Sequence, residues 1–236
     1  MKSINLSIMA LISAIMLAAP HAFAGGNISG VITYEGEIPK FKEIKMDADP
    51  ICLSKHAAAA MPQTLVLGPD KTMANVFVHI TKGLPQGVAY PVPAEPAVIS
   101  QQGCMYDPHV LGVMVGQTVK ILNPDGTLHN VHALSKINPE FNLAMPKFRK
   151  ETSQTFSKAE FMFPIKCDVH PWMAGWISVM DNPFFAVTLE DGRFVLRDVP
   201  AGEYEIEAWH EKLGTQKANV LVKEGGSNQV NFTFSR

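Results

Sequence analysis

Charge imbalance is almost absent from this chain: twenty Lys and Arg stand against twenty-two Asp and Glu over 236 residues, a formal net charge of −2. A nucleic-acid binder normally carries a strong basic excess, so that class is disfavoured. Helix signals are also scarce. Only Asp49 to Ala60, stopped by Pro62, could form a turn or two. There is no internal repeat, no charged tail and no H-E-x-x-H metallopeptidase motif, since His210-Glu211 lacks a second His. His210 reads as a surface histidine at a strand end. Cysteine is limited to three positions. Beyond the first 24 residues no apolar run approaches the length of a membrane span.

What is present describes a folded β protein behind a leader. Hydrophobic residues make up 47% and charged residues 18%, too apolar for disorder and too weakly charged for a coiled coil. Lys2, the apolar stretch Ile4 to Ala19, Pro20 and then Ala22-Phe23-Ala24 form a secretory leader cleaved after Ala24. The expected destination is the bacterial periplasm. Short alternating runs bounded by Gly, Pro, Asn and Asp follow: Ile28 to Tyr34, Asn75 to Ile80, Val110 to Val115, Thr118 to Leu122, Phe161 to Ile165 and Ala174 to Met180. Further runs cover Phe185 to Leu189, Arg193 to Leu196, Tyr204 to Ala208, Lys217 to Val222 and Val230 to Phe234. This spacing predicts all-β sandwiches. Breaks at Pro91, Pro93 and Pro96 and at Asp181-Asn182-Pro183 divide the chain into a leader (1–24), a first β segment (25–90), a central domain (91–182) and a final β segment (183–236).

The odd cysteine points to chemistry. In an oxidising compartment one of Cys52, Cys104 and Cys167 cannot pair within the chain. Cys167-Asp168-Val169-His170-Pro171-Trp172-Met173 sets a thiolate, an imidazole and a thioether on one short loop. Upstream, Leu128-His129-Asn130-Val131-His132 follows the turn Asn123-Pro124-Asp125-Gly126. One thiolate, two imidazoles and a weak axial thioether are the ligand set of a mononuclear blue-copper site. Strand alternation puts residues 129 and 131 on one face and 132 on the other, which selects His129 as ligand. His132 becomes a neighbouring support or surface group, the two exchanging if the chain bulges there. Zinc is the other ion for this set, although the thioether favours copper. A binuclear copper centre needs two bridging thiolates, and this loop has one. Cys52 and Cys104 are expected to form a disulfide; the alternative is a second metal site, with His56 four residues after Cys52 and His109 five after Cys104.

Residues 97–181 resemble a cupredoxin, and the C-x2-H-x2-M loop with its His170-Pro171 step is similar to that of amicyanin. His-Asn-Val-His upstream and the strand pair around Gly116-Gln117-Thr118-Val119 extend the similarity. The resemblance implies a Greek-key β-sandwich, with His129, Cys167 and His170 as equatorial copper ligands and Met173 as the axial one. It also implies that Asn130 tethers the ligand loop and that His170 lies nearest the surface. Trp172 and Trp176 depart from the family pattern and should form an apolar shell. A second resemblance lies in Asp191-Gly192-Arg193-Phe194-Val195-Leu196 and Pro200-Ala201-Gly202-Glu203-Tyr204-Glu205-Ile206, which look like the carboxypeptidase regulatory-like, prealbumin-type β-sandwich. That module opens with a strand similar to Ile28 to Tyr34, so the cupredoxin is expected to be inserted into it. Exported bacterial proteins that pair the two modules include some labelled methylamine-utilisation proteins.

These readings converge on an electron carrier rather than an enzyme, with a redox partner protein docking on the apolar patch at Pro171 and Trp172. Copper storage or delivery, or an adhesion or carbohydrate-binding module with a structural metal, are the competing classes. A copper oxidase or nitrite reductase is disfavoured because His56, His79, His109 and His210 are too scattered for a second catalytic centre. Lys136, Lys147, Arg149, Lys150 and Lys158 lie between the ligand segments and read as a solvated loop, diluted by Glu140, Glu151 and Glu160.

Overall fold

The computed structural model describes residues 25–236; the expected leader, residues 1–24, lies outside them. The first strand, β1 (Gly26–Glu35), buries every second residue, so Ile28, Ile32 and Tyr34 face inward. After it come a single helical turn, α1 (Pro50–Ser54), and β2 (Phe77–Lys82). The central strands are β3 (Ala97–Ser100), β4 (Val110–Met114), β5 (Thr118–Leu122), β6 (His129–Ala133), β7 (Phe141–Met145), β8 (Glu151–Thr155), β9 (Glu160–Lys166) and β10 (Ala174–Met180). The chain closes with β11 (Phe185–Val187), β12 (Arg193–Val199), β13 (Gly202–His210), β14 (Gly214–Val222), β15 (Ser227–Gln229) and β16 (Phe232–Ser235). The all-β expectation holds.

Strand pairing separates two sandwiches. In the terminal one, β12-β1-β15, with β16 also on β1, faces β11-β2-β13-β14. Ile28, Phe194 and Phe232 from the first sheet share a core with Val78 and Ile206 from the second. In the central one, β4-β10-β9-β6-β7 faces β3-β5-β8, and Ile99, Val119 and Ile121 meet Val131, Ile165 and Val179. Each fully buried aliphatic side chain contributes about 1.5–3 kcal/mol. Strands from both ends of the chain thus build one sandwich, and β3 to β10 build the other between them. Phe77, Val110 and Met180, packed by Trp176, Phe185 and Trp209, join the two. The His109 and Glu211 side chains meet at 2.6 Å beside them.

Three expectations need correction. Ile44, Met46, Cys52 and Ala60 pack on the central core, so part of the segment 25–90 covers the central sandwich instead of completing the terminal one. The stretch carrying Lys136 to Lys158 is not a plain loop: β7 pairs with β6, and β8 pairs with β5. His210 is 2% exposed rather than on the surface. Its Nδ1 accepts the Lys212 and Leu213 N–H groups, and burial holds its pKa down at about 4. Among the described residues no helix is long and apolar enough to cross a membrane.

Candidate metal centre

Cys167 follows directly from the end of β9, and Met173 directly precedes β10. The two strands are antiparallel neighbours with Ala174 opposite Lys166, so the intervening residues must turn tightly. Two backbone bonds close that turn, Cys167 N–H to Met173 O at 3.1 Å and Met173 N–H to His170 O at 2.9 Å. On the other side of β9 runs β6, with His132 opposite Lys166. The antiparallel register carries His129, three residues earlier, alongside the ligand loop. Distant segments meet because β6 and β9 are hydrogen-bonded neighbours.

One ligand atom each from His129, Cys167 and His170 lie within 4.8 Å of one another. All three residues are buried. The two Nδ1 atoms are 3.0 Å apart, and Cys167 Sγ is 3.9 Å from His170 Nδ1. Each imidazole turns its other nitrogen to a carboxylate: His129 Nε2 lies 3.0 Å from Asp125 and His170 Nε2 3.1 Å from Asp49. Donation from both Nε2 atoms leaves both Nδ1 lone pairs aimed at one point, where only a proton or a cation can separate them. That donor set fits a soft or borderline metal ion. Met173 is fully buried in the same core.

Electrostatics agree with the geometry. Burial opposes charge on Cys167, yet hydrogen bonding from His129 and nearby backbone groups holds its pKa below the usual thiol value. Burial likewise opposes charge on His129, but Asp125 and Cys167 outweigh it and raise its pKa. For His170 burial wins and the pKa is lowered, despite Asp49. These neighbours thus favour the ionised form of Cys167 and the charged form of His129, while burial favours the neutral form of His170.

Asn130 Oδ1 accepts from Asp168 N–H at 2.7 Å and from Cys167 Sγ at 3.2 Å, tying the loop to β6. His132 points away from the cluster, to Asp168 at 2.9 Å and Glu140 at 2.9 Å. Pro171 is exposed; Trp172 lies 5.0 Å, ring to ring, from His170 and donates to Cys104 O at 3.0 Å. Cys52 and Cys104 are bonded, with their Cα atoms 5.5 Å apart. His56 binds Gly103 O and His109 faces Glu211, so neither histidine joins those cysteines in a metal cluster.

His170 is the most exposed of the four expected ligands, at 3% against 2% for Cys167 and 0% for His129 and Met173. It is nonetheless covered: Cys52 Sγ sits 3.6 Å from its Nε2, and the segment around α1 packs over it. Asp49 and Asp125 were not anticipated as partners of the histidines. Asp125 stands four residues before His129 and was read only as part of a turn. For Asp49, 121 residues from His170, the pairing of Cys52 with Cys104 was the one available pointer.

No family model matches the chain, and no curated protein matches it. Several solved structures are similar to it in part. The reduced state of an amicyanin mutant is 28% identical and covers 42% of this chain and 100% of its own, with a TM-score of 0.33. A purple cupredoxin from Nitrosopumilus maritimus is 22% identical over 36% of this chain and 99% of its own, with a TM-score of 0.28. A copper-containing nitrite reductase from Thermus scotoductus SA-01 is 24% identical over 43% of this chain, with a TM-score of 0.33. The chain spans about a quarter of that reductase's length, 26%.

Proposed function

We propose that the central sandwich holds one type 1 copper ion between His129, Cys167 and His170, with Met173 as the weak axial ligand, and that the exported chain carries electrons in the periplasm. The observation that carries this reading is the meeting of the His129 and His170 Nδ1 atoms with each other and with Cys167 Sγ while both Nε2 atoms face carboxylates. A copper ion held there supplies a one-electron couple. The chain's own residues keep the donors fixed: Asn130 restrains the loop, Asp125 orients His129, and the surrounding core excludes water. A rigid, dry donor set changes little when an electron arrives or leaves, which suits transfer better than chemistry on a substrate.

Burial also favours a carrier over a delivery protein, because no ligand side chain is open to a copper acceptor. Leu128 and Val169, each 44% exposed, flank the ligand segments together with Pro171 and offer an apolar contact for a redox partner. The terminal sandwich, with its regulatory-like pattern, is read as a scaffold for the central one. Protein-film voltammetry of the copper-loaded chain, paired with a competition against a copper(I) chelator, tests the role. A reversible one-electron wave with slow copper loss is expected. An irreversible wave with ready transfer to the chelator would establish delivery instead.

A further inference from the structure

The cover over His170 is tied down at several points. The Asp49 side chain caps α1, its Oδ1 accepting from Ile51 N–H at 2.8 Å and Cys52 N–H at 3.4 Å. Its Oδ2 accepts from Thr127 Oγ1 at 3.0 Å and faces His170 Nε2 at 3.1 Å. Three residues on, Cys52 is bonded to Cys104. The Cys104 N–H donates to Asp125 Oδ2 at 2.7 Å, and the same oxygen lies 3.0 Å from His129 Nε2. One disulfide thus links the carboxylate behind one candidate ligand to the carboxylate behind the other.

We propose that Asp49 is a positioning residue for His170: it holds the ring with Nδ1 turned toward Cys167 and His129, and the Cys52–Cys104 bond keeps Asp49 in place. The proposal rests on the copper reading above, since it assigns a task to the contacts of a presumed ligand. A carboxylate already fixed by three protein donors loses little freedom when it meets the imidazole. By accepting from Nε2–H it selects the tautomer whose Nδ1 lone pair is free. With Cys52 it also blocks the outward swing that an exposed histidine could make, which accounts for the burial of His170. Free passage of a partner to that ring edge is lost, so contact must be made through the cover or beside it, at Val169 and Pro171.

Asp49→Ser separates positioning from helix capping. Serine still caps α1 but is too short to reach His170. Two measurements are needed. In the copper-free protein, the rate of carbethoxylation of His170 by diethyl pyrocarbonate, read by peptide mass spectrometry, should rise at least about tenfold. In the copper-loaded protein, copper(II) affinity should fall about 10–100-fold, the range for loss of a ligand's supporting partner, and the midpoint potential should rise as a negative charge behind the ring is removed. Asp49→Asn is the second variant. Its amide cannot accept from both the backbone and His170, so the changes should have the same direction. Wild-type rates, affinity and potential in a folded variant of either kind would overturn the proposal. If wild-type protein shows no thiolate-to-copper band, the copper reading falls, while carbethoxylation of the metal-free protein still decides what Asp49 does.

Discussion

Glu160 shows how a single charge can be held inside this fold without a cation. It is 6% exposed, and its carboxylate accepts from Ser135 Oγ, Lys136 N–H, Asn138 N–H and Asn138 Nδ2. Burial pushes its pKa up, but these donors together hold it down at about 2, against an ordinary 4.5. A carboxylate with a depressed folded-state pKa adds stability above its unfolded value and loses it as pH falls through the folded one. At neutral pH the shift is worth about 3 kcal/mol. Glu160→Gln should therefore be less stable by about that amount at pH 7 in urea unfolding, and the gap to wild type should narrow between about pH 4.5 and 2. A gap that stays constant with pH would show that the ionised form contributes nothing. In the sequence Glu160 stands out only as a charge diluting a basic stretch. Its donors come from a turn that no periodicity reveals.

At the scale of elements, alternation was the legible signal, and it works where one strand face is buried. β1, β12, β13 and β16 bury Ile28, Phe194, Ile206 and Phe232, each inside a run that alternation marks as a strand. It fails for β8, Glu-Thr-Ser-Gln-Thr, which has no apolar face and is held by its backbone ladder to β5. Close backbone approach is a second feature hidden from patterning. A Cβ placed at Gly30 would run into the Val230 carbonyl, since Val230 N–H bonds to Ser29 O at 2.8 Å and draws the last segment against β1. Gly30→Ala should force these strands apart and cost about 1–3 kcal/mol, the usual range for overpacking. Thermal unfolding checks it; a melting temperature equal to that of wild type would mean that the strand yields freely there.

For the whole molecule, strands from residues 26–82 and 185–235 pair into one sandwich and β3 to β10 into another, and the alternating runs in each segment were legible in the sequence. The clustering of His129 with Cys167 and His170 was readable because Cys, His and Met crowd one loop, and β6 alternation separated His129 from His132, which turns to Asp168 and Glu140 instead. What covers the site was not readable. Asp49 reaches His170 only once the segment around α1 has packed on the central sandwich, and no pattern in the sequence announces that contact. The dependence of the copper reading on Cys167 makes the decisive measurement simple. Copper(II) is added to the chain lacking residues 1–24, and to its Cys167→Ser variant, and the visible and electron-paramagnetic spectra are recorded side by side. An intense thiolate-to-copper band with narrow hyperfine splitting, absent from the variant, is the expected result. A colourless wild-type protein, or a spectrum unchanged by Cys167→Ser, would contradict the type 1 site on which the functional reading stands.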